Sequence, residues 1–254
     1  MPSRDAAWPN GTPCWIDYGA VDVDASRAFY AEVLGWTYSG GEPGWGGYLT
    51  CLAAGSAAAG LSPSLDPTQP VGWTTYFASD DVDATAILIT AAGGKVMMAP
   101  DDVGTMGRMA IALDSQGNVF GLWQTGEHAG IRIYNEPGSL VWNELATDDP
   151  PAAREFYRSV FGFRFDEIDG EGGYTTFATD GDLPLGGLGA RQPDVPRGWE
   201  TCFSVASTDT AVAVVKRERG KVIMAPQDTP YGRFAVVEDP WGAFFAVMQA
   251  PPDA

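Results

Sequence analysis

The sequence predicts an α+β fold of two tandem domains, each built from two βαβββ units, and two observations support this prediction. First, the second half of the chain repeats the motifs of the first half in the same order. Second, in both halves short stretches of alternating apolar residues flank segments with helical spacing. We place the domains at residues 11–125 and 138–250, joined by a linker at residues 126–137.

The internal repeat extends over most of the chain. Residues 11–36 correspond to 137–163, and KVMMAP at 95–100 corresponds to KVIMAP at 221–226. Within the opening segments the matched positions are Trp15 with Trp142, Asp22 with Asp149, Phe29 with Phe156, Tyr30 with Tyr157 and Gly35 with Gly162. A repeat of this length indicates duplication, because surface loops absorb the small change in spacing along it.

The first unit begins with a strand at 15–21 and continues into a helix. Asp22 is a good N-cap, since its carboxylate can accept from the free backbone N–H groups of the first turn. The helix carries an aromatic face and ends at Gly35, where a left-handed residue is favoured. Short strands follow through 48–61 and complete the first βαβββ unit.

The second unit repeats this order with a strand at 73–78 and a helix at 82–92. Gly93 and Gly94 end that helix. Three strands then complete the unit, at 95–99, 108–113 and 118–124. The turn DSQG joins the last two strands as a hairpin, and DPWG does the same in the second half.

A strand, a capping Asp, a helix with F-Y-x-x-x-x-G and a D-x-x-G hairpin together resemble the vicinal oxygen chelate superfamily. This superfamily includes glyoxalase I, extradiol dioxygenases, fosfomycin-inactivating enzymes and bleomycin-resistance proteins. The resemblance covers about residues 11–249 and implies two glyoxalase-like domains, whose four units form two cupped mixed sheets. The tandem form is similar to two-domain actinobacterial proteins, among them a mycobacterial culture-filtrate antigen.

The resemblance also implies metal-ligand positions, and this chain has substituted them. In metal-dependent members His and Glu side chains line the cup, whereas here the positions fall on Trp15, Trp142, Gly121 and Ala246, and near Thr75, Thr201, Gly60 and Gly187. None of these side chains is a usable ligand for a divalent transition metal. The single histidine, His128, lies in the linker, where we expect a solvated surface residue. We therefore expect no metal and no cofactor.

Aromatic and acidic residues at the opening strands suggest a binding site in place of a metal site. Trp15 and Asp17 share a strand face, as do Trp142 and Glu144, because side chains two apart point the same way. If that face lines the cup, the expected ligand-binding residues are Trp15, Asp17, Tyr48, Thr75, Phe77, Trp123, Trp142, Glu144, Tyr174, Thr201, Phe203 and Met248. Asp17 and Glu144 are the candidate catalytic acids or bases, because burial beside Trp would raise the pKa of either carboxyl. The alternative is that these large residues simply plug a cup that no longer functions.

Composition limits the partners of the protein. Fifteen Lys and Arg against 33 Asp and Glu give a formal net charge of −18, which repels nucleic acid and anionic membrane surfaces. The three cysteines match neither a disulfide framework nor a zinc motif. With no apolar segment of signal-peptide or membrane-span type, we expect a cytoplasmic protein. A monomer or a weak homodimer is expected, because duplication already pairs the units within each half.

These observations favour metal-independent binding or sequestration of a hydrophobic aromatic small molecule, such as an antibiotic or secondary metabolite. One alternative is a cofactor-free enzyme, or an accessory to an oxygenase, that acts on a polyketide-like natural product. Another is a glyoxalase-like detoxification protein, although that chemistry depends on a metal as Lewis acid. Whether the chain is an enzyme stays open at the level of sequence.

Overall fold

A computed structural model describes residues 4–64, 71–168, 172–181, 183–193 and 195–251. The elements of the first half are β1 (Pro13–Ala20), α1 (Val23–Leu34), β2 (Thr37–Gly40), β3 (Leu49–Ala53), β4 (Ser56–Pro63), β5 (Trp73–Ala78), α2 (Val82–Ala91), β6 (Lys95–Val103), β7 (Gly107–Leu113) and β8 (Val119–Thr125). A single 3₁₀ turn, Pro43–Trp45, lies between β2 and β3.

The second half repeats these elements in the same order. They are β9 (Leu140–Thr147), α3 (Pro150–Phe161), β10 (Arg164–Glu167), β11 (Thr175–Ala178), β12 (Gly186–Ala190), β13 (Gly198–Ser204), α4 (Thr208–Arg217), β14 (Lys221–Thr229), β15 (Gly232–Glu238) and β16 (Phe244–Gln249). The predicted α+β fold of two tandem domains with four βαβββ units is confirmed.

Each half forms its own mixed eight-stranded sheet. The strand order is β2-β3-β4-β1-β5-β8-β7-β6 in the first and β10-β11-β12-β9-β13-β16-β15-β14 in the second. Within each unit the first and last strands pair in parallel, and the two units of a half join through an antiparallel pair, β1–β5 or β9–β13. The opening strands of all four units therefore lie at the centres of the sheets.

The first sheet curls so that its outer parts approach each other. Trp45 follows the edge strand β2, and Gly104 follows β6 at the opposite edge. A Cβ on Gly104 would lie only 3.0 Å from the Trp45 ring. The sheet is thus a cup with a concave face, which we name cup 1; the corresponding face of the second sheet is cup 2.

Helix caps explain where the helices begin and end. Asp22 Oδ1 accepts from the backbone N–H of Ala25 at 3.0 Å, and Asp149 caps α3 in the same way. Gly35 and Gly162 follow these helices with φ of 72°, a left-handed conformation that glycine adopts without steric cost. Among the described residues, no helix has the length and apolar character needed to cross a membrane.

The two sheets pack against each other through the faces that carry the helices. Trp73 on β5 contacts Phe203 on β13 at 5.1 Å between ring centroids, and Phe77 contacts Trp199 at 5.0 Å. These two contacts are related by the repeat. The aromatic core of the protein therefore lies between the halves, and both cups face outward from it.

The D-x-x-G hairpins also join the halves. Asp239 Oδ2 accepts hydrogen bonds from the hydroxyls of Tyr18 and Tyr30 in the first half, at 2.7 and 2.9 Å. In the reverse direction Tyr157 donates to Asp114 at 3.2 Å. The other carboxylate oxygen of each Asp accepts two backbone N–H groups of its own turn. Each turn motif thus fixes its hairpin and anchors the opposite half.

Candidate functional site

Strand register determines which side chains line cup 1. In the antiparallel β1–β5 pair, Trp15 lies opposite Tyr76 and Asp17 lies opposite Thr74. Residues directly opposite each other project to the same face of a sheet. Gly60 on β4 is level with Asp17, and Gly121 on β8 is level with Tyr76. These central positions form the floor of cup 1.

A hydrogen-bonded triad of Trp15, Asp17 and Tyr48 occupies that floor. The Tyr48 hydroxyl donates to Asp17 Oδ1 at 2.6 Å, and Trp15 Nε1 donates toward the same oxygen at 2.8 Å and toward the Tyr48 oxygen at 2.9 Å. Burial raises the pKa of the Asp17 carboxyl, and hydrogen bonds from Tyr48, Trp15 and Tyr76 act against that rise. The sequence predicted these three residues as site residues, and the structure brings them together.

Two glycines make this floor possible. A Cβ on Gly60 would lie 1.9 Å from both Asp17 Oδ1 and the Tyr48 hydroxyl, and a Cβ on Gly121 would lie 2.2 Å from the Tyr76 ring. The Tyr76 ring thus fills the space above Gly121. Cup 1 is therefore closely packed at the positions where the resemblance placed metal ligands.

His128 covers the same cup from the linker, which corrects the expectation of a solvated residue. Its ring lies edge-on to Trp15 at 4.4 Å and to Trp123 at 5.5 Å, and its carbonyl accepts from Trp123 Nε1 at 2.9 Å. Burial, and secondarily the charge of Arg132, lowers the pKa of His128 to about 4. The imidazole is therefore neutral at physiological pH, and Trp15 beneath it is only 3% exposed.

A shallow depression of about 480 Å³ remains above this cover. Thr50, Leu52, Met106 and His128 are among the residues that line it, whereas the Trp15–Asp17–Tyr48 triad does not line it. The mouth of cup 1 thus ends at His128, and a ligand in the depression would not reach Asp17.

Cup 2 contains the same triad in a more accessible form. Trp142 Nε1 donates to the Tyr174 hydroxyl at 3.1 Å, and that hydroxyl donates to Glu144 Oε2 at 2.8 Å. All three side chains are partly exposed, as is Met248 on β16. Burial raises the pKa of Glu144, and the hydrogen bond from Tyr174 acts against the rise. The structure therefore also brings together the predicted residues of the second cup.

Glu200 is a further residue of cup 2 that the sequence reasoning missed. It lies on β13 directly opposite Glu144, and it is 5% exposed. Burial, and secondarily the charge of Glu144, raises its pKa to about 8. A signal was available, because Glu200 precedes the helix cap Ser207 by the same number of residues as Trp142 precedes Asp149.

Cup 2 also lacks two groups that fill cup 1. Cys202 is opposite Trp142, in the place that Tyr76 takes opposite Trp15, and Ala246 is level with it on β16. Met248 takes the place of Trp123. The centre of the cup 2 floor thus carries a small thiol where cup 1 carries a phenol ring.

Four predicted site residues lie outside both cups. Thr75 and Thr201 project to the helix face, where both hydroxyls are directed at Asn143 Oδ1, at 2.8 and 3.5 Å. Phe77 and Phe203 are fully buried in the aromatic core between the halves. The expectation that these four line the cups is wrong by one strand position, because a shift of one residue moves a side chain to the other face. The cup-facing neighbours are Thr74 and Glu200.

Comparison with known proteins agrees with this architecture. The model of the Glyoxalase/Bleomycin resistance protein/Dioxygenase superfamily matches residues 15–122 and 127–247. The chain belongs to this superfamily. Each of its two sheets corresponds to one match.

Similar members of the superfamily occur in actinobacteria. The putative glyoxylase CFP32 of Mycobacterium tuberculosis is 39% identical over 99% of both chains. The anthracycline biosynthesis protein DnrV of Streptomyces peucetius is 37% identical, over 94% of this chain and 93% of its own. Both relatives match over both halves, so the tandem arrangement is shared.

Solved structures of the superfamily share the fold at low sequence identity. An Mn(II)-bound glyoxalase from Novosphingobium aromaticivorans has a TM-score of 0.68 and 17% identity, covering 95% of this chain and 83% of that one. The 2,3-dioxygenase LapB from Pseudomonas sp. KL28 has a TM-score of 0.64 and 13% identity, covering 99% and 96%.

The manganese bound by the Novosphingobium glyoxalase does not fit the residues present in this chain. In cup 1 the Asp17 carboxylate accepts hydrogen bonds from Tyr48 and Trp15, and the Tyr76 ring fills the space over Gly121. In cup 2 two carboxylates face each other, and the single histidine of the chain, His128, lies against Trp15 in cup 1. Throughout the described ranges, His, Cys, Asp and Glu form no group of three or more that could hold a metal ion. Transition-metal sites of this kind are built from several nitrogen and carboxylate ligands.

Proposed function

We propose that the chain binds a flat, hydrophobic aromatic small molecule in cup 2 without a metal, and that sequestration of this molecule is its function. The observation that carries the proposal is the partly exposed triad of Trp142, Tyr174 and Glu144 on the concave face. An indole and a phenol provide a large apolar surface, and the carboxylate can orient one polar group of the ligand.

The contrast between the cups supports the choice of cup 2. Trp15 is buried beneath His128, and Tyr76 takes up the centre of cup 1. In cup 2, Cys202 replaces the phenol and Trp142 stays partly exposed. Stacking requires an accessible ring face, so the second half is the better site.

The names of relatives suggest a class of ligand. DnrV, which is 37% identical to this chain, is named as an anthracycline biosynthesis protein, and so is DauV from a Streptomyces strain at 36% identity. Polycyclic aromatic natural products are flat and largely apolar, which suits an aromatic cup. We extend this class of ligand to the present chain as part of the proposal.

Equilibrium dialysis of the chelator-treated protein against a tetracyclic aromatic quinone tests the proposal, because it measures free ligand independently of the nine Trp residues. Trp142→Ala is expected to weaken binding by about tenfold or more, equivalent to about 1.4 kcal/mol. Trp15→Ala is the matched control and should leave the affinity unchanged. Circular dichroism verifies that both variants are folded, and Trp15→Phe replaces the alanine variant if that one unfolds.

Binding that requires an added divalent metal would contradict the proposal. So would loss of affinity in the Trp15 variants with no effect of Trp142→Ala, because the ligand would then occupy cup 1.

A second candidate function is cofactor-free acid–base catalysis on the same class of ligand. The carboxyl pair favours it, because the raised pKa of Glu200, about 8, keeps a proton available near neutral pH. Mass spectrometry of ligand recovered after prolonged incubation distinguishes the two. Unchanged ligand supports sequestration, whereas conversion that is lost in Glu200→Gln supports catalysis.

A further inference from the structure

Two carboxyl groups of cup 2 occupy directly paired positions on neighbouring strands. Glu144 on β9 and Glu200 on β13 face each other in the antiparallel register. Side chains at such positions have Cβ atoms about 5 Å apart, and like charges there repel. The arrangement is therefore unfavourable for the empty protein once both groups are ionised.

The hydrogen bonds of this pair are incomplete. Glu144 Oε2 accepts from Tyr174 at 2.8 Å. Glu200 Oε2 is buried and has no hydrogen-bond partner among the described residues. Over the same part of the chain, neither carboxylate forms an ion pair with Lys, Arg or His. A buried carboxylate normally requires a donor or a counter-charge, and here the protein provides neither to that oxygen.

Among the described residues, no Lys, Arg or His contributes to the electrostatic environment of the pair. Glu144 and Tyr174 face Glu200 from β9 and from the segment before β11, and Cys202 lies on its own strand. On β16, Ala246 is level with Cys202 and Met248 is level with Ser204, and neither side chain ionises. The ionisable neighbours are thus acidic or neutral, so the cup presents negative charge to anything that enters it.

We propose that the Glu144–Glu200 pair binds a protonated amine carried by the aromatic ligand. An ammonium group has three N–H donors and one positive charge, enough to satisfy Glu200 Oε2 and to relieve the repulsion between the carboxylates. Trp142, beside Glu144 on the same face, supplies a ring that attracts a cation. This inference rests on the proposed function, because it specifies one chemical group of the ligand bound in cup 2.

Cup 1 shows why the amine would select the second half. Thr74 stands in the place of Glu200, so the pair is reduced to one carboxylate. Asp17 already accepts from Tyr48 and Trp15. Cup 1 therefore has neither the second negative charge nor the free acceptor that an ammonium group needs.

Two anthraquinones that differ in one group test the inference: one carries an aminoalkyl side chain, and the other carries the corresponding hydroxyalkyl side chain. At about pH 9, where Glu200 is ionised, calorimetry on the wild-type protein should give an affinity for the amine at least about tenfold higher. Glu200→Gln, which preserves shape and removes the charge, should abolish that preference while still binding the hydroxyalkyl compound. Glu155→Gln on the exposed face of α3 lowers the net negative charge equally and should leave the preference intact.

The outcomes separate this inference from the proposed function. If neither compound binds, the proposed function fails. If both bind equally to the wild-type protein, the aromatic site stands and the amine inference is overturned; this comparison needs no variant to fold. If Mg²⁺ or Mn²⁺ alone binds and displaces the amine, the pair is a divalent-cation site and the inference is again overturned.

The pH dependence gives a second readout. Since Glu200 must lose its proton to neutralise the ammonium, the preference for the amine should increase as the pH rises through about 8. The amine itself, like a Lys side chain with a pKa of about 10.4, stays protonated in this range. A preference that does not change between about pH 6 and 9 would contradict the assignment to Glu200.

Discussion

At the scale of single residues, the two cups differ in how well their carboxylates are satisfied. Asp17 accepts from Tyr48 and Trp15, whereas Glu200 has an oxygen without a donor and lies opposite a second acid. Asp17 is thus a structural hydrogen-bond acceptor, whereas one oxygen of Glu200 lacks a hydrogen-bond donor among the described residues. The effect on stability that we predict for substitution of Glu200 follows from this contrast.

Glu200→Gln should make the protein more stable in alkaline buffer. The pKa of Glu200 is raised from 4.5 to about 8 on folding, so its contribution to stability is present below 4.5 and is lost as the pH rises through 8. One pKa unit is worth about 1.4 kcal/mol, and we expect the variant to gain about 4 to 5 kcal/mol near pH 8.5 and almost nothing near pH 4.5. Urea unfolding at the two pH values measures this difference, and an equal gain in both would show that the carboxyl charge is not the cause.

His128→Phe should remove an opposite dependence on the acid side. The pKa of His128 is lowered from 6.5 to about 4, so its contribution is present above pH 6.5 and is lost as the pH falls through 4. The wild-type protein is expected to lose about 2 kcal/mol of stability over this window relative to a variant that keeps an aromatic ring against Trp15. Thermal melts of both proteins between about pH 4 and 7 compare the slopes, and parallel curves would show that His128 is not buried over Trp15.

Part of the site could be predicted from the sequence and part could not. Trp15 with Asp17, and Trp142 with Glu144, follow from the two-residue period of a strand. Glu200 was missed because the sequence pattern placed the site position of β13 one residue later, at Thr201. Successive side chains of a strand point to opposite faces, so an error of one residue selects the wrong face. The cover formed by His128 depends on a contact between the linker and a strand, which no local pattern encodes.

At the scale of elements, glycine positions on the central strands control the space in each cup. Gly121→Ala should destabilise the protein by about 2 kcal/mol, because the new methyl group would meet the Tyr76 ring, which is held beside Asp17. Ala246→Gly at the matched position should cost only about 1 kcal/mol, mainly from the added backbone freedom. Chemical denaturation compares the two, and a neutral Gly121→Ala would show that Tyr76 is not packed on that strand.

The hairpin aspartates give a second prediction at this scale. Asp239→Asn removes a charged acceptor from two buried tyrosine hydroxyls, so a loss of about 2 kcal/mol is expected. Asp114→Asn affects one tyrosine at a longer distance and should cost about 1 kcal/mol. The free energy of unfolding in urea gives the ranking. Equal losses would indicate that the turns matter only to their own hairpins.

The elements themselves were largely predictable, because their signals are local. Asp22 and Gly35 mark the ends of α1, and the structure shows both caps. The packing of the two sheets against each other, through the faces that carry the helices, was not predicted. It depends on contacts between halves, such as Trp73 with Phe203, that are far apart in the chain. The sequence suggested the cup for Phe203, whereas the second sheet directs it to the core.

At the scale of the whole molecule, duplication has produced two related halves with different interiors. The fold and its inter-half aromatic core repeat almost symmetrically. Cup 1 is filled by Tyr76 and covered by the linker residue His128, whereas cup 2 keeps an accessible triad and a carboxyl pair. One half thus has the features of a structural partner and the other those of a binding site. With a net charge of −18, the whole protein also favours cationic over anionic ligands.

Isothermal titration calorimetry of the chelator-treated protein with the aminoalkyl anthraquinone tests the central claim most directly. The account predicts saturable binding with one site per chain, and the same affinity with or without added Mn²⁺ or Zn²⁺. Two equivalent sites per chain would contradict the asymmetry between the cups, and binding that begins only when a metal is added would contradict metal-independent recognition.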